Sequence, residues 1–308
     1  MLFSGSSHPE LAKEIAKILN IDLGNIQHSK FSSGELYVKV NETIRGKDIY
    51  VVQSASENIN DDYMELFLLL DTFKRASAKS VNVILPYYGY ARQDKKSEPR
   101  EPISARLIAD LLLTVGLDRL ITVDLHADQI QGFLNKPVDH LTAMPLFVDY
   151  FKHKNLTNLV VVAPDTGRAK FAKKLGDKLG ADLAVIHKSR PDHNVSEVVN
   201  IIGDVKNKTV LLIDDMVDTG GSITSGLEAL RLYGCHSDVY LACTHAVFSG
   251  TCVERLKKAN FKEVVVTDTL PLPAYKRFEA LSTVSIAPLI AEVVKRNVEK
   301  RSISSLFD

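Results

Sequence analysis

The run Asp214-Asp215-Met216-Val217-Asp218-Thr219-Gly220-Gly221-Ser222 sits directly behind the apolar stretch Val210-Leu211-Leu212-Ile213. Thr219 to Ser222 are suited to cradle a phosphate. Gly220 and Gly221 let the backbone come close to an anion, and the hydroxyls of Thr219 and Ser222 add hydrogen bonds. Asp214 and Asp215 would repel a phosphate and suit instead the hydroxyls of a sugar, or a hydrated metal ion. Phosphate and diol side by side spell a sugar phosphate. Taken singly, an Asp-Asp pair is a helix cap and a Gly-Gly pair a turn; the complete run behind an apolar strand points further.

These residues need elements to hold them. Consecutive branched apolar residues read as a strand buried on both faces, which belongs to a parallel sheet covered by helices. After Ser222, Ile223, Leu227 and Leu230 recur at helical spacing and Gly234 stops the pattern. The unit is therefore a strand, an acidic turn, a glycine turn and a helix. In open α/β sheets ligands bind beyond the carboxyl ends of the strands, and a helix N-terminus offers free N–H groups and the positive end of its dipole.

The same order recurs along the chain. Leu2-Phe3 reads as a first strand, followed by a capping box of Ser7 and Glu10 and the stripe Leu11, Ile15, Ile18. Strands are expected at 37–40, 49–52, 81–85 and 120–123 in the first half, with helices through Met64 to Phe73 and 103–115. In the second half 159–163, 183–186, 198–202, 210–213, 239–241 and 264–266 read as strands, and 289–298 as the last helix. Val81 to Leu85 ends in Pro86 as Leu159 to Ala163 ends in Pro164-Asp165, and Asp124 closes a strand as Asp214 does. The expected fold is α/β in two similar halves, with domains at 1–146 and 147–298 and the tail 299–308 packing back on the first.

Two polar, basic stretches interrupt this order. Residues 92–102 have little that could pack and read as a long exposed binding loop or lid, and 187–194 as a second loop. With 38 basic and 38 acidic residues the formal charge is zero, so no long-range field points to nucleic acid. No apolar run approaches the roughly 20 residues that cross a bilayer, and no signal peptide is recognisable, so a soluble cytoplasmic protein is expected. Three cysteines, Cys235, Cys243 and Cys252, lack metal-type spacing and read as reduced thiols.

The Asp214–Ser222 run resembles the sugar-phosphate loop shared by the phosphoribosyltransferases and the ribose-phosphate pyrophosphokinases. Residues 91–96 (Ala-Arg-Gln-Asp-Lys-Lys), 124–133, 187–190 and 5–8 make the resemblance specific to the class I ribose-phosphate pyrophosphokinases, and it runs end to end. It implies two domains of the phosphoribosyltransferase type and a reaction in which the C1 hydroxyl of ribose 5-phosphate attacks the β-phosphorus of ATP, giving PRPP and AMP. By the same resemblance Asp218, Thr219, Gly220, Gly221 and Ser222 hold the 5-phosphate, and Asp214 and Asp215 the ribose hydroxyls. Phe31 and Glu35 contact adenine, although Phe31 alone would read as core, and Arg92, Gln93 and His126 bind the nucleotide. His126 and Asp165 match magnesium ligands, and Lys188 and Arg190 lie on the loop that closes over the transferring phosphates. Arg45, Arg100, Ser302 and Ser304 fall at positions resembling a regulatory phosphate site. The family implies dimers assembled into a hexamer, with phosphate ion as an activator.

Two positions depart from the family pattern. Ser33 stands where Asp or Asn is usual, and Arg168 replaces the second glycine of the Pro-Asp-x-Gly-Gly loop. They keep open a non-catalytic regulatory subunit as the alternative, against which the retained cations argue. A PRPP-consuming transferase is the third reading, weakened because it gives the ATP-side loops no purpose.

Overall fold

The computed structural model describes residues 1–189 and 198–306, the side chains of 188, 189, 198 and 199 apart. Its residues fall into two compact units, Met1–Thr142 with Thr269–Pro271 and Ser285–Asp308, and Ala143–Asp268 with Leu272–Val284.

The first unit is built on β1 (Leu2–Ser4), β2 (Ile26–Lys30), β3 (Leu36–Val40), β4 (Asp48–Val52), β5 (Ser80–Ile84), β6 (Arg119–Val123) and β7 (Val138–Leu141). Its helices are α1 (Pro9–Leu19), α2 (Ile59–Arg75) and α3 (Ser104–Thr114). Strands β1-β4-β5-β6-β7 form a five-stranded parallel sheet, while β2 and β3 pair as a separate antiparallel hairpin. Val51, Val83, Ile84 and Ile121 in the central strands are fully buried, as strands covered on both faces require.

Helix α1 is not started by the capping box that Ser7 and Glu10 suggest. Its N-cap is His8, whose Nδ1 accepts the Leu11 N–H at 3.4 Å, with Pro9 in the first turn. The Ser7 hydroxyl is instead committed to Gln53 Oε1 at 2.7 Å, and Glu10 pairs with Lys13 at 2.9 Å.

The β2–β3 hairpin is anchored to α2 by a buried polar group. His28 Nδ1 lies 3.0 Å from Glu65 Oε1, and the Ser6 N–H donates to the same carboxylate oxygen at 2.7 Å. The Glu65 carboxylate holds the His28 pKa above its ordinary value, against the opposing effect of partial burial. A histidine raised in the folded state stabilises fully below its unfolded pKa, and that contribution is lost as pH rises through the folded value. The Tm lost in His28→Asn is therefore expected to be largest below about pH 6.5 and to shrink toward a constant offset as pH rises to about 9. A Tm difference that stays flat across that range would show that the ion pair carries no stability.

The second unit comprises α4 (Met144–His153), β8 (Leu159–Ala163), α5 (Ala169–Leu179), β9 (Asp182–Ser189), β10 (Val198–Ile202), β11 (Thr209–Val217), α6 (Gly221–Leu232), β12 (Val239–Ala246), α7 (Cys252–Ala259), β13 (Glu263–Thr267) and β14 (Leu281–Val284). The sheet order is β10-β9-β8-β11-β12-β13-β14, parallel except for the edge strand β10. Val210, Leu211, Leu212 and Ile213 are fully buried at its centre. Each such side chain contributes about 1.5–3 kcal/mol relative to exposure.

Two expectations change here. Strand β11 runs through Asp214 and Asp215 to Val217, paired with β12 at Asp214↔Cys243 and Met216↔His245, so the acidic pair lies within a strand and not in a turn. His187 to Ser189 likewise belong to β9, with Lys188 opposite Val199 of β10, and not to a loop.

Helix α8 (Ala287–Val298), expected in the second domain, groups with the first unit. Its Asn297 donates to Asp139 Oδ2 at 3.1 Å on β7, and Ser285 just before it donates to Glu14 Oε2 on α1 at 2.9 Å. All three cysteines are free. Among the described residues no helix is long and apolar enough to cross a membrane.

Candidate active site

In the second unit the chain enters the sheet at its middle. From β8 it turns to one side, to β9 and β10, then returns beside β8 as β11 and proceeds to the other side through β12, β13 and β14. The reversal opens a crevice between neighbouring strands whose connections leave in opposite directions, which is where open α/β sheets bind ligands. Both strands that flank it, β8 and β11, carry predicted site residues at their carboxyl ends.

The turn after β11 is the stretch expected to cradle a phosphate. Gly220 is the N-cap of α6 with φ of 75°, and no side chain caps the helix. The first N–H groups of α6, from Gly221 and Ser222 onward, thus point outward without a capping side chain. Thr219 and Ser222 are exposed and Gly220 is buried. The turn is braced from α7 and its approach: the Phe248 and Ser249 N–H groups donate to the Val217 and Asp218 carbonyls, each at 3.0 Å. Arg255 Nη1 donates to the Thr219 carbonyl at 3.1 Å and would lie 3.5 Å from a Cβ at Gly221. Sequence reading missed Arg255, because a lone arginine on a helix outside any motif carries no signal; only the packing of α7 beside the turn brings it to the cradle.

Behind the cradle, Asp215 is buried and Asp214 half-buried. Arg168 reaches both, with Nη2 2.5 Å from Asp215 Oδ2 and Nε 3.6 Å from Asp214 Oδ1. Burial pushes the Asp214 carboxyl well above the ordinary carboxylate range; the neighbouring Asp215 charge adds to the rise and Arg168 opposes it. Asp165, exposed after β8, accepts the Arg168 N–H at 3.0 Å. The structure thus brings Asp165, Arg168, Asp214, Asp215 and the cradle together at one crevice.

The first unit gathers the residues expected on the nucleotide side at its own loops. Phe31 lies between β2 and β3, 57% exposed and edge-on to Tyr37 at 5.8 Å, so it is not a core residue. Glu35 accepts the Ser33 hydroxyl at 2.7 Å, so the unusual serine is used to hold that carboxylate.

The loop after β5 is tied down at several points. Ala105 N donates to the Gln93 carbonyl at 3.2 Å, Ser104 bonds the Gln93 side chain, and Gln129 bonds Asp94. Arg92 is exposed on this loop. His126 is exposed after β6, where Asp124 takes a positive φ of 38° and Leu125 N donates to Nε2 of His140 at 2.8 Å. Burial lowers the His140 pKa, against the neighbouring Asp124 and Asp128 charges, and so favours the neutral ring that can accept this bond. His140, on a strand the sequence did not reveal, is the missed support of the His126 turn.

Lys188 is the last but one residue of β9, and Arg190 lies outside the described residues. Of the residues expected to bind a regulatory phosphate, Ser302 donates to the Ser304 hydroxyl at 3.1 Å, and the Ser302 carbonyl accepts from Arg296 of α8 at 3.1 Å. Arg45 and Arg100 are exposed elsewhere in the same unit, and no hydrogen bond or ion pair among the described residues joins them to the two serines. Among the described residues no group of three or more His, Cys, Asp or Glu side chains is placed to hold a metal ion.

Residues 1–116 match the N-terminal domain of ribose phosphate pyrophosphokinase, and residues 191–308 the phosphoribosyl synthetase-associated domain. The chain is 48% identical over 309 residues to a ribose-phosphate pyrophosphokinase of Fusobacterium nucleatum, covering 100% of this chain and 98% of the relative. It is 49% identical over 307 residues to one from Bacillus caldolyticus, covering 100% of this chain and 97% of that protein. The crystal structure of phosphoribosylpyrophosphate synthetase from Mycobacterium smegmatis matches with a TM-score of 0.92 at 46% identity, over 97% of this chain and 99% of that one. The match spans both units and both sets of loops, and the chain belongs to the ribose-phosphate pyrophosphokinase family.

Proposed function

We propose that the protein transfers the β,γ-diphosphoryl group of ATP to the C1 hydroxyl of ribose 5-phosphate, releasing AMP and forming PRPP. The observation that carries this reading is the glycine-capped start of α6 beside the Asp214–Asp215 pair at the sheet's switch point, groups suited to a phosphate and to a diol within one crevice.

In this reading the α6 N–H groups and the hydroxyls of Thr219 and Ser222 hold the 5-phosphate, with Asp218 closing the turn. Asp214 and Asp215 take the ribose hydroxyls and so fix the sugar with its C1 hydroxyl outward. Phe31 stacks on adenine, Glu35 accepts from it, and Arg92 and Gln93 hold the nucleotide. Lys188 and Arg190 stabilise charge on the transferring phosphates. The C1 oxygen forms its bond to the β-phosphorus as the bond from that phosphorus to the α-phosphate oxygen breaks, and AMP leaves. Such transfers draw on positioning and electrostatic stabilisation more than on covalent chemistry by the protein.

Magnesium is commonly bound by one or two protein groups together with substrate phosphates, and His126 and Asp165 are each a residue of the type that could contribute one such ligand. A divalent cation bound with the substrate phosphates supplies neutralisation of their charge. The relatives named above are called by the enzyme's name over the full chain, and no observation favours a non-catalytic regulatory subunit.

Phosphorus NMR of the purified protein with ATP, ribose 5-phosphate and magnesium tests the reaction. Equal growth of AMP and PRPP is expected; a folded protein that forms neither would overturn it. The exposed Phe31 gives a separate check. Phe31→Ala is expected to raise the KM for ATP by about tenfold, the loss of about 1–3 kcal/mol of base stacking, with Tm and the KM for ribose 5-phosphate unchanged. A KM for ATP equal to that of the wild type would remove Phe31 from the nucleotide site.

A further inference from the structure

Arg168 stands where the family pattern has a glycine, and the structure gives it a definite place. Its side chain is 19% exposed and its guanidinium spans the pair, 2.5 Å from Asp215 and 3.6 Å from Asp214. Its own N–H is fixed on Asp165 Oδ1 at 3.0 Å, and the residue is the N-cap of α5, so its backbone is set by the end of β8. Two adjacent carboxylates, one of them buried in a sheet interior, demand a positive partner. Without one the cost of desolvation and mutual repulsion falls on the pair. In a site that handles polyphosphates the ordinary partner is a divalent cation, for which carboxylate oxygens are the favoured ligands.

From this geometry we infer that Arg168 is a tethered cation that takes the place a divalent ion would otherwise fill at Asp214 and Asp215. It positions the two carboxylates for the sugar hydroxyls and keeps the pair from drawing a metal ion of its own. The part concerning sugar hydroxyls rests on the function proposed above; the exclusion of a metal ion does not. A guanidinium suits this task because its planar fork meets two acceptors at once and stays charged at any working pH. Glycine offers no such group.

Mn2+ is the probe, with free ion counted by electron paramagnetic resonance in the absence of nucleotide and sugar. Arg168→Gln keeps length and hydrogen-bonding capacity but loses the charge. It is expected to bind about one more Mn2+ per chain than the wild type, an oxygen-ligand site of the kind two carboxylates and waters form. Adding Asp215→Asn to that variant is expected to abolish the gain. Asp215→Asn in the otherwise wild-type chain is expected to leave Mn2+ binding unchanged, because the pair there holds no metal.

Equal Mn2+ stoichiometry in folded Arg168→Gln and the wild type would overturn the inference. So would loss of a bound Mn2+ from the single Asp215→Asn variant, a comparison that decides the matter even if Arg168→Gln does not fold. Product formation from ATP and ribose 5-phosphate by the wild type is read separately. Its absence would refute the proposed function while leaving the Mn2+ comparison valid.

Discussion

Lys188→Ala is expected to lower kcat by at least about a hundredfold, the scale of losing one electrostatic contact made in the transition state. The reason lies in the chemistry. When the diphosphoryl group moves from the α-phosphate oxygen to the sugar, negative charge redistributes over oxygens that the protein can stabilise only with cations and oriented donors. Lys188 is the last but one residue of β9, the strand next to β8, whose end leads to Asp165 at the crevice. A group that acts on the developing charge lowers kcat and kcat/KM together and leaves substrate binding nearly intact. Steady-state kinetics with both substrates saturating would separate the cases. A kcat within about tenfold of the wild type, or a loss confined to KM, would place Lys188 outside the transition state.

How far the sequence disclosed this arrangement depended on the range of the forces involved. The run from Val210 to Ser222 left local marks, a strand buried on both faces followed by a glycine turn and a helix, and the structure has those elements in that order. The strand's extension through the acidic pair was not legible: acids are poor strand formers alone, and pairing with β12 overrides that preference. Strand β7 escaped for a similar reason, since Val138-Asp139-His140-Leu141 is half polar and its buried acid is paired with Arg119, 2.6 Å away on the neighbouring strand, and with Asn297 of α8. His8 capped α1 in place of Ser7 because Gln53, distant in sequence, claimed the serine hydroxyl. Arg168 could be marked as a departure in the chain but its partners could not be named, because they sit on a strand brought alongside only by the parallel pairing of β8 with β11.

The cradle itself makes the second large prediction. Gly220 adopts φ of 75°, a left-handed conformation that costs a non-glycine residue about 1–3 kcal/mol, with a β-branched side chain at the upper end. A Cβ there would also stand 3.1 Å from Cys252 Sγ, on a helix whose start is packed beneath the turn. Gly220→Val must therefore either keep the turn at that cost or relax it, and relaxing it turns the first N–H groups of α6 away from the position proposed for the phosphate. Alanine would keep the hydrophobic neighbourhood but not the conformation, so Gly220→Ala should fall between the wild type and valine. For Gly220→Val, kcat/KM for ribose 5-phosphate is expected to fall by about a hundredfold, since each 1.36 kcal/mol is a factor of ten. The KM for ATP should change little, because the groups proposed to hold the nucleotide base lie on the β2–β3 hairpin of the other unit. Titration of ribose 5-phosphate against each variant by calorimetry gives the binding part directly. Wild-type affinity in a folded Gly220→Val protein would mean that the phosphate is held elsewhere, and the assignment of the cradle would fall with it.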